Sequence, residues 1–149
     1  MNLLNYPVEE FTTPISVTAT EDESLAQLSE LMQQYGVRHI PIIQNKSVIG
    51  IVSQRDLNLV LGLSYHDQTV VRAYDIMVKN PICVSAGATL DDVALEMTQR
   101  KIGSVIVNDE NDQYYGIFTV TDALNALVEI LRVAQDEVNP QSHVHQTDW

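Results

Sequence analysis

The sequence predicts a mixed α/β (α+β) fold built from two copies of one β-α-β-β-α unit. The segment Gly50-Ile51-Val52-Ser53-x-x-Asp56 recurs as Gly116-Ile117-Phe118-Thr119-x-x-Asp122, at an offset of 66 residues. Upstream, Ser24-Leu25-x-x-Leu28 recurs as Thr89-Leu90-x-x-Val93, at an offset of 65 residues. Because the offset changes by a single residue between the two segments, a duplicated unit with small differences in loop length explains both matches.

Three strands are predicted in each unit from short apolar runs. The first run follows a proline, and the other two are β-branched or aromatic and are joined by a polar turn. These runs occupy residues 15–18, 40–43 and 48–52 in the first unit and residues 82–85, 105–107 and 115–118 in the second.

A helix is predicted between the first and second strands of each unit. Ser24 and Thr89 are expected to be N-caps, and Gln27 lies three residues after Ser24, where it completes a capping box. Apolar residues then recur at helical spacing. Gly36 is expected to end the first helix, and Gly103 lies close to the equivalent turn in the second.

A second helix closes each unit and begins at Ser53 or Thr119. The resulting division places a first repeat at residues 8–63, a connector at 64–73, a second repeat at 74–137 and a mobile polar tail at 138–149. An apolar stripe from Leu124 to Ala134 runs along one face of the last helix. Part of the stripe is expected in the core and part in a homodimer interface.

Composition excludes several classes of function. The net charge is −12, from 20 acidic and 8 basic residues, so nucleic-acid binding is not expected. The apolar runs are too short to span a membrane and the N-terminus resembles no export signal, so a soluble cytoplasmic protein is expected. Cys83 is the only cysteine, and its apolar neighbours predict a buried structural thiol.

The recurring Ser/Thr-x-x-Asp turn is the strongest candidate for chemistry. In both units it stands where a strand ends and a helix begins, and a helix N-terminus attracts phosphate. A hydroxyl, Ser53 or Thr119, can add a hydrogen bond to that phosphate. The carboxylate, Asp56 or Asp122, can accept from both hydroxyls of a ribose. The competing interpretation is that each pair only caps its helix, and the recurrence in both units favours binding.

Further motifs carry a family resemblance. Gly36-Val37-Arg38-His39-Ile40-Pro41-Ile42 precedes the first closing motif, and Asp75-Ile76-Met77-x-x-Asn80-Pro81 opens the second unit. With the closing motif, these segments make residues 11–134 resemble a tandem pair of cystathionine-β-synthase-type (CBS) domains, a Bateman module, in standalone form. The resemblance implies two pseudo-symmetric units packed through their sheets, with two clefts between them.

The resemblance also implies ligands and binding residues. Many members bind adenosine compounds such as AMP, ADP, ATP or S-adenosylmethionine as regulatory ligands. In such members the Ser/Thr of the closing motif contacts phosphate and the Asp holds the ribose. The leading strands, here with Ile15, Val17, Ile82 and Val84, flank the adenine. No obligatory cofactor and no metal is expected.

The two clefts are not expected to be equivalent. Arg38 and His39 stand where members often present phosphate-binding cations, whereas the second unit has Gly103 and Ser104 there. Arg55 lies inside the first closing motif and has no counterpart in the second. This distribution predicts one good phosphate site, for AMP or ADP rather than ATP, although Arg38 and His39 also suit a solvated corner. Lys79 and Lys101 are weaker candidates.

No enzyme is predicted, because no grouping of nucleophile, base and acid is visible. His66 stands alone in the connector, and His143 and His145 are too few ligands for a metal site. The leading hypothesis is a regulatory sensor of an adenine nucleotide that signals to an unidentified effector protein or through dimer geometry. The alternative is a dimerisation or scaffold module that binds no ligand.

Overall fold

A computed structural model describes residues 5–62 and 65–140, which form a short 3-10 helix (Val8–Phe11), seven strands and six α-helices. The strands are β1 (Thr13–Pro14), β2 (His39–Gln44), β3 (Ser47–Ser53), β4 (Val78–Lys79), β5 (Cys83–Ser85), β6 (Ser104–Asn108) and β7 (Tyr114–Thr119). The helices are α1 (Leu25–Tyr35), α2 (Gln54–Leu61), α3 (Tyr65–Val70), α4 (Ala73–Ile76), α5 (Leu90–Arg100) and α6 (Val120–Val138). The α/β prediction is confirmed.

Local capping signals set the helix ends. Ser24 caps α1, and its capping box with Gln27 is present as predicted. Gly36 ends α1 in the left-handed conformation, at φ 63°, which glycine adopts without strain. Two details differ in α5: Thr89 is the N-cap residue but makes no side-chain cap bond, and Lys101, not Gly103, is the left-handed C-cap.

The leading segment of each unit adds to the other unit's sheet. The first sheet has the order β2-β3-β4, so β4, which follows the connector, lies beside the hairpin of the first unit. The second sheet has the order β1-β7-β6-β5, so β1, near the start of the chain, lies beside the hairpin of the second unit. The two repeats are therefore interwoven.

Backbone hydrogen bonds repeat this exchange at equivalent positions. The Val8 N–H donates to the Ala88 carbonyl at 2.8 Å, and the Ala73 N–H donates to the Glu23 carbonyl at 2.9 Å. Both donors and both acceptors are 65 residues apart in the sequence. Val8 is fully buried and belongs to the core of the second unit, while Ala73 belongs to the core of the first. Each hydrophobic core is thus completed by the other unit's leading segment.

Two predictions about the leading strands of the units differ from the structure. Residues 15–18 form no strand, because the chain there leaves β1 in the second sheet and reaches the first only at Ala19, which bridges β2. Cys83 is exposed, contrary to the predicted buried thiol, because it opens the edge strand β5 and points away from the core. Val84, the next residue, packs against the core of the second unit instead.

The two units contact each other through their sheets. Ile51 of β3, Ile106 of β6 and Ile117 of β7 form a separate buried cluster between them. Ile15 packs against this cluster at its margin. Because the closing strands meet here, the turns that follow β3 and β7 both open onto clefts between the units.

Candidate functional site

The larger of two clefts lies beside the first closing motif and has a volume of about 1330 Å³. We call it the wide cleft. Both units contribute to its wall: Ser53 and Asp56 come from the first, and Ile82 and Ser104 come from the second. This volume is larger than that of typical pockets for drug-sized ligands.

Basic side chains are concentrated in the wide cleft. The whole chain has 8 Lys and Arg residues, and five of them line this cleft. In a chain of net charge −12, such a cluster produces a local positive field that attracts anions. The five are Arg38, Arg55, Lys79, Arg100 and Lys101.

Two of these cations already have neighbours in the protein. The Arg100 guanidinium pairs with the Glu96 carboxylate at 2.9 Å, a surface pair one helical turn apart. The Lys79 ammonium lies 4.0 Å from the centroid of the Tyr74 ring. Exposed pairs of this kind contribute little to stability, so both side chains can turn toward an anion at small cost.

The first closing motif caps α2 and leaves part of its carboxylate unused. The Ser53 hydroxyl accepts from the Asp56 N–H at 3.1 Å and donates to Asp56 Oδ2 at 2.8 Å. Within the described ranges, Asp56 Oδ1 has no hydrogen-bond partner. The Gln54 N–H donates to the Arg38 carbonyl at 2.7 Å, so the start of α2 offers fewer free N–H groups than the sequence suggests.

The second closing motif opens onto a smaller cleft of about 360 Å³, which we call the narrow cleft. Here the carboxylate is fully engaged. Asp122 Oδ2 accepts from the Thr119 N–H at 2.9 Å and from the Thr119 hydroxyl at 3.0 Å. Asp122 Oδ1 accepts from the Thr13 hydroxyl at 3.1 Å. The expected inequality of the clefts is therefore present in volume, charge and hydrogen bonding.

Arg38 and His39 form a wall shared by both clefts. His39 opens β2 directly opposite Ser53. Burial lowers the pKa of the His39 imidazole, while the nearby Asp122 and Asp56 carboxylates oppose that effect and the Arg38 guanidinium adds to it. The His39 imidazole is therefore close enough to both carboxylates to interact electrostatically with each of them.

The predicted binding residues divide between the clefts. Ile15 and Val17 line the narrow cleft with Thr119 and Asp122, whereas Ile82 lines the wide cleft with Ser53 and Asp56. Each closing motif therefore faces the leading segment of the other unit. Val84 lines neither cleft, because its side chain packs on the core.

Sequence reasoning missed Arg100. The positions that match Arg38 and His39 in the second unit are Gly103 and Ser104, and neither carries a charge. The second helix-to-strand corner carries its cations three residues earlier, in Arg100 and Lys101, at the end of α5. Lys101 is one of the weaker candidates from the sequence, whereas Arg100 beside it is not singled out there.

Other sequence candidates gain no site. The side chain of His66, as well as His143 and His145, lies outside the described residues. In the described part of the chain, no three His, Cys, Asp or Glu side chains are grouped to hold a metal ion. Of the helices in that part, none has the length and apolar character needed to cross a bilayer.

The comparison with protein families agrees with this architecture. The family described as "CBS domain" matches residues 8–62 and 73–129, which is most of the chain and covers both units. The chain belongs to the CBS domain family. The two matched segments correspond to the two halves of a CBS domain pair.

Two curated relatives illustrate where such pairs occur. Uncharacterized protein MJ1225 of Methanocaldococcus jannaschii is 29% identical over 130 residues, covering 80% of this chain. The inosine-5'-monophosphate dehydrogenase of Staphylococcus epidermidis is 30% identical over 122 residues, covering 79% of this chain. The chain spans 46% of the length of the first relative and 23% of the second.

Solved CBS structures share the fold. CBSX2, determined in complex with AMP, superposes with a TM-score of 0.68 at 25% identity, covering 85% of this chain and 99% of CBSX2. The CBS domain pair of protein MJ0100, determined with 5'-methylthioadenosine and S-adenosyl-L-methionine, superposes with a TM-score of 0.72 at 22% identity. That superposition covers 85% of this chain and 98% of the other. The fold is therefore that of a CBS domain pair.

Proposed function

We propose that this CBS pair is a regulatory module that binds an adenine nucleotide in the wide cleft. The observation that carries the proposal is the combination, in one cleft, of a carboxylate with an unused oxygen and five of the chain's 8 basic residues. A nucleotide presents a ribose diol and a phosphate, which require these two kinds of group. The AMP complex of the related CBSX2 supports the choice of adenosine.

Each part of the ligand has a proposed partner. The Asp56 carboxylate accepts from the ribose hydroxyls, since two oxygens suit a diol. The Ser53 hydroxyl and the Arg38 and Arg55 guanidiniums contact phosphate, with charge-assisted hydrogen bonds supplying most of the polar affinity. Ile82, which is half-buried at the cleft wall, provides apolar surface for the adenine.

The charge of the cleft bears on which ligand binds. The sequence favours AMP and ADP over ATP because its strongest phosphate-binding candidates are Arg38, His39 and Arg55, with Lys79 and Lys101 as weaker ones. Lys79, Arg100 and Lys101 also line the cleft, so charge no longer disfavours ATP. S-adenosylmethionine is less suitable, because its sulfonium and ammonium groups give it a net positive charge. We rank AMP first because the related CBSX2 was determined in complex with AMP, place ADP and ATP next because the basic residues of the cleft suit both, and place S-adenosylmethionine last.

A regulatory role follows from the fact that both units line the wide cleft. Ser53 and Asp56 belong to one unit and Lys101 to the other, so an anion between them favours the arrangement that brings both sides together. A ligand shifts a conformational equilibrium only as far as it binds one arrangement better. The closed arrangement then changes the surface that an effector protein, or a second copy of this chain, contacts.

A thermal-shift titration with AMP, ADP, ATP and S-adenosylmethionine tests the proposal. A ligand at 100 times its Kd stabilises the folded state by about 2.7 kcal/mol, which raises the Tm of a chain of this size by roughly 5–10 °C. Asp56→Asn keeps one acceptor for the Ser53 hydroxyl but cannot accept from both ribose hydroxyls. We expect this variant to lose most of the shift.

The matched control is Asp91→Asn, which changes an exposed first-turn carboxylate of α5 outside both clefts. It should respond to AMP as the unmodified protein does. A melting temperature that none of the four ligands changes would refute ligand sensing and favour the scaffold alternative.

A homodimer through α6 is the second part of the proposal. Leu124, Leu127, Val128 and Leu131 share one face of this helix, and each is 45–58% exposed. Ala126, which is buried in the body of the protein, lies on the opposite face. Four exposed apolar side chains on one face of a helix favour an interaction surface there. A second copy is the proposed occupant because the same stripe on a partner helix packs against it symmetrically.

Sedimentation of a Leu127→Glu variant tests the dimer. We expect the variant to be monomeric at concentrations where the unmodified protein is a dimer. Val133→Glu is the control, since Val133 is 47% exposed on α6 but lies about 180° around the helix from the stripe. Dimers of equal stability in both variants would exclude this face as the interface.

A further inference from the structure

One hydrogen bond distinguishes the narrow cleft from the wide cleft. The Thr13 hydroxyl of β1 donates to Asp122 Oδ1 at 3.1 Å, across 109 residues of sequence. With the two bonds from Thr119 to Oδ2, both oxygens of Asp122 are engaged by the protein itself. A ribose hydroxyl donates to a carboxylate in the same way, so Thr13 occupies the place that a ligand needs.

The wide cleft has no hydroxyl at the equivalent place. Thr13 lies opposite Ile117 in the pairing of β1 with β7, and Val78 lies opposite Ile51 in the pairing of β4 with β3. Ile117 and Ile51 are equivalent positions of the duplication. Val78 therefore stands for Thr13 in the wide cleft, and its side chain cannot donate to Asp56.

Backbone pairing fixes the main chain of Thr13 beside the narrow cleft. β1 is paired with β7 at Thr13 and Pro14, and the next residue, Ile15, donates its N–H to the Tyr115 carbonyl at 2.9 Å. A ligand entering the narrow cleft can displace the hydroxyl only by rotating it away from Asp122 or by moving the strand. In the wide cleft the same ligand displaces only water from Asp56 Oδ1.

We propose that Thr13 is a specificity-determining residue that blocks the ribose position of the narrow cleft and so reserves adenosine ligands for the wide cleft. The inference rests on the proposed function of the wide cleft. It predicts one strong site per chain, although the closing motif is present twice. Charge acts in the same direction, since the narrow cleft has only Arg38 and His39 as basic residues.

Isothermal titration of the full chain with AMP tests the role of Thr13. In an Asp56→Asn background the wide cleft is disabled, so any remaining binding reports the narrow cleft. Adding Thr13→Val removes the competing hydroxyl at nearly constant volume. Because a hydrogen bond to a charged group is replaced by one from the ligand, we expect the residual AMP affinity to rise about tenfold. Thr13→Ser retains the hydroxyl and should leave the affinity unchanged.

The reciprocal variant is Val78→Thr in the otherwise unmodified chain. It places a hydroxyl beside Asp56, and we expect AMP binding in the wide cleft to weaken about tenfold. Circular dichroism melts of each variant, without ligand, verify that the fold is retained.

The outcomes separate the two proposals. If Asp56→Asn abolishes AMP binding but Thr13→Val restores none of it and Val78→Thr weakens nothing, the role of Thr13 is overturned while the proposed function stands. If the unmodified chain binds no AMP, or if Asp56→Asn binds it unchanged, the proposed function fails and the inference about Thr13 fails with it.

Discussion

Replacing Gly116 by alanine tests whether the leading segment of the chain packs on the second unit. Gly116 lies in β7 opposite Pro14 of β1. A Cβ atom added there would overlap Cγ2 of Thr12 and lie 3.1 Å from the Thr13 carbonyl oxygen. The first neighbour is a stiff β-branched side chain and the second is backbone, so β1 has to move.

The expected loss of stability is about 1–2 kcal/mol. Overpacking of a buried site costs about 1–3 kcal/mol. The smaller conformational entropy of alanine in the unfolded chain offsets roughly 0.4–1 kcal/mol of this. For a chain of this size, the net loss lowers the Tm by about 2–8 °C. The measurement is a urea titration monitored by circular dichroism, together with a thermal melt.

Gly87→Ala provides the control for the loss of a glycine. Its Cβ would meet only the Ser85 Oγ, at 4.0 Å, and its φ is not in the left-handed region. This variant should match the unmodified protein or be slightly more stable. If Gly116→Ala is as stable as Gly87→Ala, β1 does not pack on β7 in solution, and the exchange of leading segments is refuted.

Three further predictions follow from burial and charge. Val8→Ala should lower the free energy of unfolding by about 1.5–3 kcal/mol in urea titrations, because Val8 is fully buried, whereas Val70→Ala on the exposed face of α3 should change it by under about 0.5 kcal/mol. The pKa of His39 is lower in the folded chain than in the unfolded chain, so the unfolded chain binds the proton more readily and stability falls as the pH drops below 6.5. His39→Gln should make this loss of stability smaller in melts recorded as a function of pH. Lys101→Gln should weaken AMP binding and reduce its salt dependence in titrations at two ionic strengths; equal salt dependence would exclude Lys101 from the phosphate site.

Local signals made the helices and the central hairpins predictable. The capping box at Ser24 and the left-handed Gly36 depend only on residues close to them in the sequence, so the sequence alone predicts both. The strands β1 and β4 have only two residues each, which is too short for a periodic pattern. Their positions depend on contacts with the other repeat, and no local signal predicts such contacts.

The candidate site was predictable to the same extent. The duplication repeats the Ser/Thr-x-x-Asp motif, and this recurrence identifies Ser53 and Asp56 together with Thr119 and Asp122. The bond from Thr13 to Asp122 joins residues 109 positions apart, and neither residue type is unusual at its position. Only the tertiary pairing of β1 with β7 reveals that the second motif is already occupied.

The reciprocal exchange of leading segments also bears on how such a pair can arise. A single unit on its own lacks the segment that completes its core, but two separate copies could each supply it to the other, as a symmetric dimer with exchanged segments does. Joining the copies in one chain makes that association intramolecular, so it no longer depends on protein concentration. It also allows the two copies to differ in sequence. Under our proposal, threonine at position 13 and valine at position 78 use that freedom, since equivalent positions of the two repeats block the ribose site of one cleft and leave that of the other open.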